Sequence, residues 1–137
     1  MAHAKITWFG GKQFVGVDST KHAIVMSSQD EANATGVKPS DLLLLALAGC
    51  SAVDVVGILQ KKRQDVRGLE INVKGQQDED PPWTFRRIEL EYVISGCGIK
   101  EKAVADAIQI SEDKYCSVSA TVQGVAEVVS SYRIIEV

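Results

Sequence analysis

No Cys-x-x-Cys pair and no Cys/His cluster occurs in this chain. A structural zinc site is therefore not expected, because such sites draw on closely spaced thiolates and imidazoles. A Gly-x-Ser-x-Gly elbow, a phosphate-binding P-loop and a dinucleotide fingerprint are also missing. The only basic run, Lys61-Lys62-Arg63, is short, and the formal net charge is -3. That argues against nucleic acid as a partner, since phosphate binding needs a concentrated positive face. The start, Met1 to Trp8, has no useful apolar stretch and reads as a strand rather than a signal peptide. Three cysteines, at 50, 97 and 116, are neither even in number nor dense, unlike the set that staples a small secreted domain. These absences predict a reducing, cytoplasmic setting, with no metal and no cofactor.

What is present suits a globular α+β protein. Apolar residues make up 45% and charged residues 24%, which provides for a core and argues against disorder. A length of 137 residues fits one domain, residues 1–137. Three short strands are expected first: Lys5 to Phe9, Gln13 to Val17 and His22 to Ser27. They are separated by Gly10-Gly11, a hairpin signal, and by the turn Asp18-Ser19-Thr20-Lys21. Gln29 to Lys38 is polar and reads as a loop.

Pro39-Ser40-Asp41 then opens a helix predicted to run to about Gln64. Pro suits the first turn, Asp41 the positive end of the dipole, and Lys61, Lys62 and Arg63 the negative end. Its stretch from Leu42 to Val53 is apolar all round, so burial on every side is expected. Leu42 to Leu59 contains one charge, Asp54, which costs about 2.5–3.5 kcal/mol in mid-membrane. With the rest of the chain amphipathic, no membrane span is expected. A helix of some 25 residues measures about 37 Å, against a radius of gyration of about 14 Å for a domain this size. One small sheet cannot cover it. A second copy of the chain could, which points to a homodimer.

Beyond Gly68, the strands Leu69 to Lys74 and Phe85 to Ser95 flank a charged loop holding Pro81-Pro82. Ile88, Leu90, Tyr92 and Ile94 share one face, as in a half-buried sheet. Ile99 to Ile110 has helical spacing, Cys116 to Val122 suits a short helix, and Val125 to Glu136 a last strand.

Two residues stand out for chemistry. Cys50 lies mid-helix among Ala48, Gly49, Ser51 and Ala52, whose small side chains let a ligand or another backbone approach its sulfur. A plain alternative is an inert buried cysteine. Cys116 opens the short helix, where free N–H groups lower a thiol pKa, or it is a filler under the last strand. Asp54, one turn beyond Cys50, would oppose ionisation of that thiol, or it pairs with a cation of a second subunit. Cys97 lies between two glycines and has no expected role. His3 and His22 are expected at the surface or a strand edge, and Trp8 and Trp83 are expected to be packing residues.

The run Lys38-Pro39-Ser40-Asp41-Leu42-Leu43-Leu44-Leu45-Ala46-Leu47-Ala48-Gly49-Cys50, with the later Lys114-Tyr115-Cys116-Ser117-Val118, resembles the OsmC/Ohr family of osmotically inducible and organic-hydroperoxide-resistance proteins. The resemblance covers nearly the whole chain. It implies an OsmC-like subunit (three strands, a Cys-bearing helix, two strands, two helices and a strand) in an intertwined homodimer with sites at the subunit interface. It also implies stress-linked reduction of organic hydroperoxides. In that scheme Cys50 attacks the peroxide, Cys116 resolves the sulfenic acid to a disulfide, and a lipoyl-type or small dithiol restores both. The peroxidase branch carries an Arg shortly after the first-strand glycines and a Glu just after the helix-opening Pro. This chain has Lys12 or Gln13, and Ser40 followed by Asp41, so Lys12 and Asp41 are the expected electrostatic partners. A Lys is a point charge and does not clamp as a guanidinium fork does. Helix-end electrostatics favour Cys116 as the more acidic thiol, whereas the resemblance assigns attack to Cys50. The rival readings are a non-enzymatic dimeric module holding an apolar small molecule at the same interface, and a purely structural protein.

Overall fold

The computed structural model describes all 137 residues, which divide into two compact units, Met1–Leu43 and Leu44–Val137. In the first unit, β1 (Ala4–Trp8), β2 (Gln13–Asp18) and β3 (Ala23–Ser27) form an antiparallel sheet in the order β1-β2-β3. Gly10 and Gly11 turn the first hairpin with φ of +120° and +55°, a region that glycine enters without steric cost. The Asp18 carboxylate closes the second turn by accepting the N–H groups of Thr20 and His22. This sheet has little cover: Ile6, Trp8, Phe9 and Val25 are all substantially exposed. Trp8, expected to pack, is 66% exposed and donates its indole N–H to Gly11.

The long helix α1 (Asp41–Lys61) crosses the boundary between the units. It is shorter at both ends than the sequence suggests. Arg63 takes a left-handed φ of +57°, the usual way a helix is brought to a stop. Leu47, Ser51, Val55 and Leu59, four residues apart, form its buried stripe. Burial on every side does not occur within one chain. Leu43, Leu45 and Val53 are 37%, 56% and 76% exposed, because the single chain offers packing partners to one face only.

In the second unit, β4 (Asp65–Gln77) and β5 (Phe85–Cys97) are a long antiparallel pair, and β6 (Glu127–Glu136) joins β5 in parallel. β4 begins four residues earlier than expected and carries Gly68 inside it, at a break in register between Val66 and Gly68. A Cβ at Gly68 would run into the Ser95 side chain, so the bulge accommodates a residue that the sequence alone presents as punctuation. Parallel neighbours need a crossover. Here α2 (Glu101–Ile110), a π-helical turn (Ser111–Tyr115) and α3 (Ser117–Val122) supply it. The π-helical turn is absent from the sequence expectation.

The core of this unit unites Leu47, Val55 and Leu59 of α1, Ile88, Leu90, Tyr92 and Ile94 of β5, and Ala103, Val104, Ala107 and Ile108 of α2. The alternation read along β5 is thus the buried face. Arg87, Glu89, Glu91 and Arg133 carry ion pairs on these strands. Such exposed pairs contribute little, so apolar burial on the helix side holds the sheet. By length and composition α1 alone could cross a membrane.

Candidate active site

Cys50 sits mid-way along α1, half-buried, and packs against the core. With Asp54, Gly57 and Lys61 it forms a stripe of +3 and +4 steps, on the flank between the buried stripe and the exposed apolar residues Leu45, Gly49 and Val53. Cys116 comes from the crossover. The π-helical turn ends when its N–H bonds to the Ser111 carbonyl at 2.8 Å, and its side chain caps α3, the Sγ accepting the Ser119 N–H at 3.3 Å. It is only 2% exposed.

These two thiols, far apart in the chain, meet. Cys50 packs against the buried cluster that contains Cys116, and it is one of the groups that oppose ionisation of the Cys116 thiol. Both are free thiols. Its place at a helix end does not make Cys116 an acidic thiol. Burial first, and the Cys50 bond second, push its pKa from 9.0 up to about 11, while the Ser119 and Val118 N–H groups offset only part. The helix-end effect is present, but loss of water outweighs it. Cys97 is exposed at the end of β5.

A buried polar chain lies nearby, and most of it carries no signal in the sequence. The Ser51 hydroxyl bonds to the Tyr92 hydroxyl and, at 3.2 Å, to that of Ser111. Ser111 in turn donates to Asp54 at 3.0 Å. Ser51, Ser111 and Tyr92 are 1%, 0% and 0% exposed. Burial raises the Tyr92 pKa; the Ser51 bond lowers it, and the Glu112 and Cys116 charges add to the rise. Glu112, from the same π-helical turn, accepts the Ser130 hydroxyl. Asp54 also lines a cleft of about 380 Å³ with Val53, Gly57, Ile58, Lys61, Ile110 and Tyr115. Its walls are mainly apolar, and Tyr115 neighbours Cys116 in the chain.

Matching residues 30–130, the family model described as OsmC-like protein spans most of this architecture, both cysteines included. The chain belongs to the OsmC-like family. Protein YhfA of Escherichia coli K12 is 36% identical over 132 residues, 96% of this chain and 97% of its own. A crystallised protein from Aquifex aeolicus VF5 is 31% identical, with a TM-score of 0.89 over 100% of this chain and 98% of its own. The organic hydroperoxide resistance protein OhrB of Bacillus subtilis shares the fold at 18% identity, with a TM-score of 0.62 over 96% and 98% of the two chains.

Lys12 and Asp41 belong to the first unit. Lys12 is held by its backbone, its N–H bonding to Asn33 Oδ1 and its carbonyl accepting from Ser28. Asp30 has its pKa lowered chiefly by the Ser28 hydroxyl, then by Asn33, with Lys12 a lesser contributor. Asp41 begins α1, its N–H bonded to the Lys38 carbonyl at 2.9 Å. The ion pairs of the chain involve neither residue.

Proposed function

We propose that this chain is a thiol-dependent reductase of organic hydroperoxides that works as a homodimer in the reducing cytoplasm. One observation supports the reading: Cys50 and Cys116, from distant segments, pack into the same core cluster, and Asp54 and Tyr115, their near neighbours in the chain, line an apolar cleft. Cys50, the less buried sulfur, attacks the terminal peroxide oxygen as thiolate. The O–O bond breaks, an alcohol leaves and Cys50 becomes a sulfenic acid. Cys116 then displaces that oxygen as water, forming a disulfide, and a dithiol of lipoyl or small-molecule type reduces it by exchange. The apolar part of the substrate lies in the cleft along Val53, Gly57 and Ile58. Lys12 and Asp41 supply the charges that hold Cys50 ionised, in place of the guanidinium and carboxylate of the peroxidase branch. The exposed apolar residues of α1 and of the first sheet are covered by the second subunit. Both units act as one domain, since the family match crosses their boundary.

The test supplies cumene or tert-butyl hydroperoxide with dihydrolipoamide and follows peroxide loss beside a Cys50→Ser variant. Turnover that vanishes in the variant supports the reading; equal turnover in both removes it. A second reading, a dimeric module that retains an apolar small molecule, is favoured by the absence of an ion pair at Lys12 and Asp41. Native mass spectrometry of the purified protein would then reveal a bound ligand and the peroxide assay would be blank.

A further inference from the structure

The hydroxyl chain beside the two cysteines has a fixed direction. A carboxylate only accepts, so Ser111 spends its one proton on Asp54. Ser51 must then donate to Ser111, and Tyr92 to Ser51. Every hydroxyl proton in the series Tyr92, Ser51, Ser111 is therefore aimed toward Asp54. Each member is also tied to a sulfur. Ser51 follows Cys50 in α1, the Ser111 carbonyl receives the Cys116 N–H, and Tyr92 shares the buried cluster with Cys116. Asp54 stands one helical turn from Cys50, at the Cβ spacing of about 5–6 Å typical of such pairs.

We propose that the series Tyr92–Ser51–Ser111–Asp54 is a proton relay for disulfide closure, running from the Cys116 side of the site to the Cys50 side. This rests on the redox reading of the two cysteines. Closure breaks the Cys116 S–H bond and the Cys50 S–O bond and forms the S–S bond. Cys116 supplies the electron pair, and the departing oxygen needs the proton that Cys116 loses. Tyr92 takes that proton as it passes its own to Ser51. Ser51 and Ser111 repeat the shift, and Asp54 delivers a proton to the oxygen leaving Cys50, so that water departs, each group regains its protonation state, and the hydroxyls turn back toward Asp54. A buried thiol whose pKa has been pushed up to about 11 has few thiolates at neutral pH, which is why a route for its proton matters. The other groups facing the relay are Glu112 and Cys116 at Tyr92, and Lys61 and Tyr115 in the cleft beside Asp54.

The experiment treats reduced protein with one equivalent of cumene hydroperoxide and resolves the two steps by rapid quench, dimedone trapping and intact mass. It compares wild type with Tyr92→Phe, Ser111→Ala and Ser111→Thr across pH. Expected are unchanged sulfenic acid formation at Cys50 and closure slowed by roughly tenfold or more in Tyr92→Phe and Ser111→Ala. Closure is nearly flat with pH in wild type. It rises about tenfold per pH unit in the two relay-broken variants, where thiolate must form unaided. Ser111→Thr, which keeps the hydroxyl, restores the flat profile. Should Tyr92→Phe fail to fold, judged by near-ultraviolet circular dichroism, the Ser111 pair decides. Closure as fast as wild type, or slower with an unchanged pH profile, overturns the relay and leaves the cysteine chemistry standing. Wild-type protein that forms no disulfide at all overturns both together.

Discussion

Cys116 shows how a local signal and its surroundings can pull a titrating group in opposite directions. The start of a short helix lowers a thiol pKa, and that signal is readable in Tyr115-Cys116-Ser117. Burial and the adjacent Cys50 are not readable, and together they win. The consequence has a definite sign. The folded pKa, about 11, lies above the ordinary value of 9.0, so the folded state holds this proton more tightly than the unfolded chain. The associated stability is fully present below pH 9.0 and is lost as pH rises to about 11. Urea midpoints measured over that range will fall. In Cys50→Ala, where one of the raising causes is gone, the thiolate absorbance of Cys116 will titrate at lower pH than in wild type. Tyr92 and Ser111 are harder to find. In sequence Tyr92 is simply another large residue on the buried face of a strand, and Ser111 a polar residue after a helix. Only the packing of three elements makes them neighbours.

At the scale of elements, most of the fold was legible because its signals are local. Gly10-Gly11, the Pro39 to Asp41 helix start and the alternation from Ile88 to Ile94 each mark an element within a few residues. The extra length of β4 was not legible, since Gly68 reads as a break unless the facing Ser95 is known. The turn from Ser111 to Tyr115 was missed for a similar reason: a π-helical turn differs from an α-helical one in hydrogen-bond partner, not in composition. Glycines offer a direct check on the strand pairing. A Cβ at Gly96 would collide with the Asp65 carbonyl and the Ile99 side chain. Gly96→Ala will therefore destabilise the protein by about 1–3 kcal/mol, measured by chemical denaturation.

For the whole molecule, the uneven distribution of burial is the main lesson. Every apolar residue of the packed core lies beyond Leu43, while the first sheet and one side of α1 keep Ile6, Trp8, Leu45 and Val53 at the surface. The sequence announced this imbalance through a helix apolar on all sides, but it could not say which face a single chain would cover. If a second copy covers the rest, Leu45→Glu and Val53→Glu will convert a dimer to a monomer in light scattering while leaving helical content intact. A wild-type chain that elutes as a monomer at micromolar concentration would remove the dimer from the proposed function. Gly49 gives an independent reading. Nothing lies within 4 Å of a Cβ added there, so Gly49→Ala should stabilise an isolated helix by roughly 1 kcal/mol, and a loss instead would report a neighbour pressed against it.

The wide turn ahead of Cys116 also makes the angular placement of that sulfur separable from the integrity of the helix that carries it. The Cys116 N–H reaches back five residues to the Ser111 carbonyl, so deleting Asp113 would turn that bond into the ordinary four-residue kind and leave the sulfur near its present place. Deleting both Asp113 and Lys114 would exceed this slack and swing the sulfur by about 100° around the axis. Added oxidant would then link the thiols of the first shortened protein and leave those of the second unlinked.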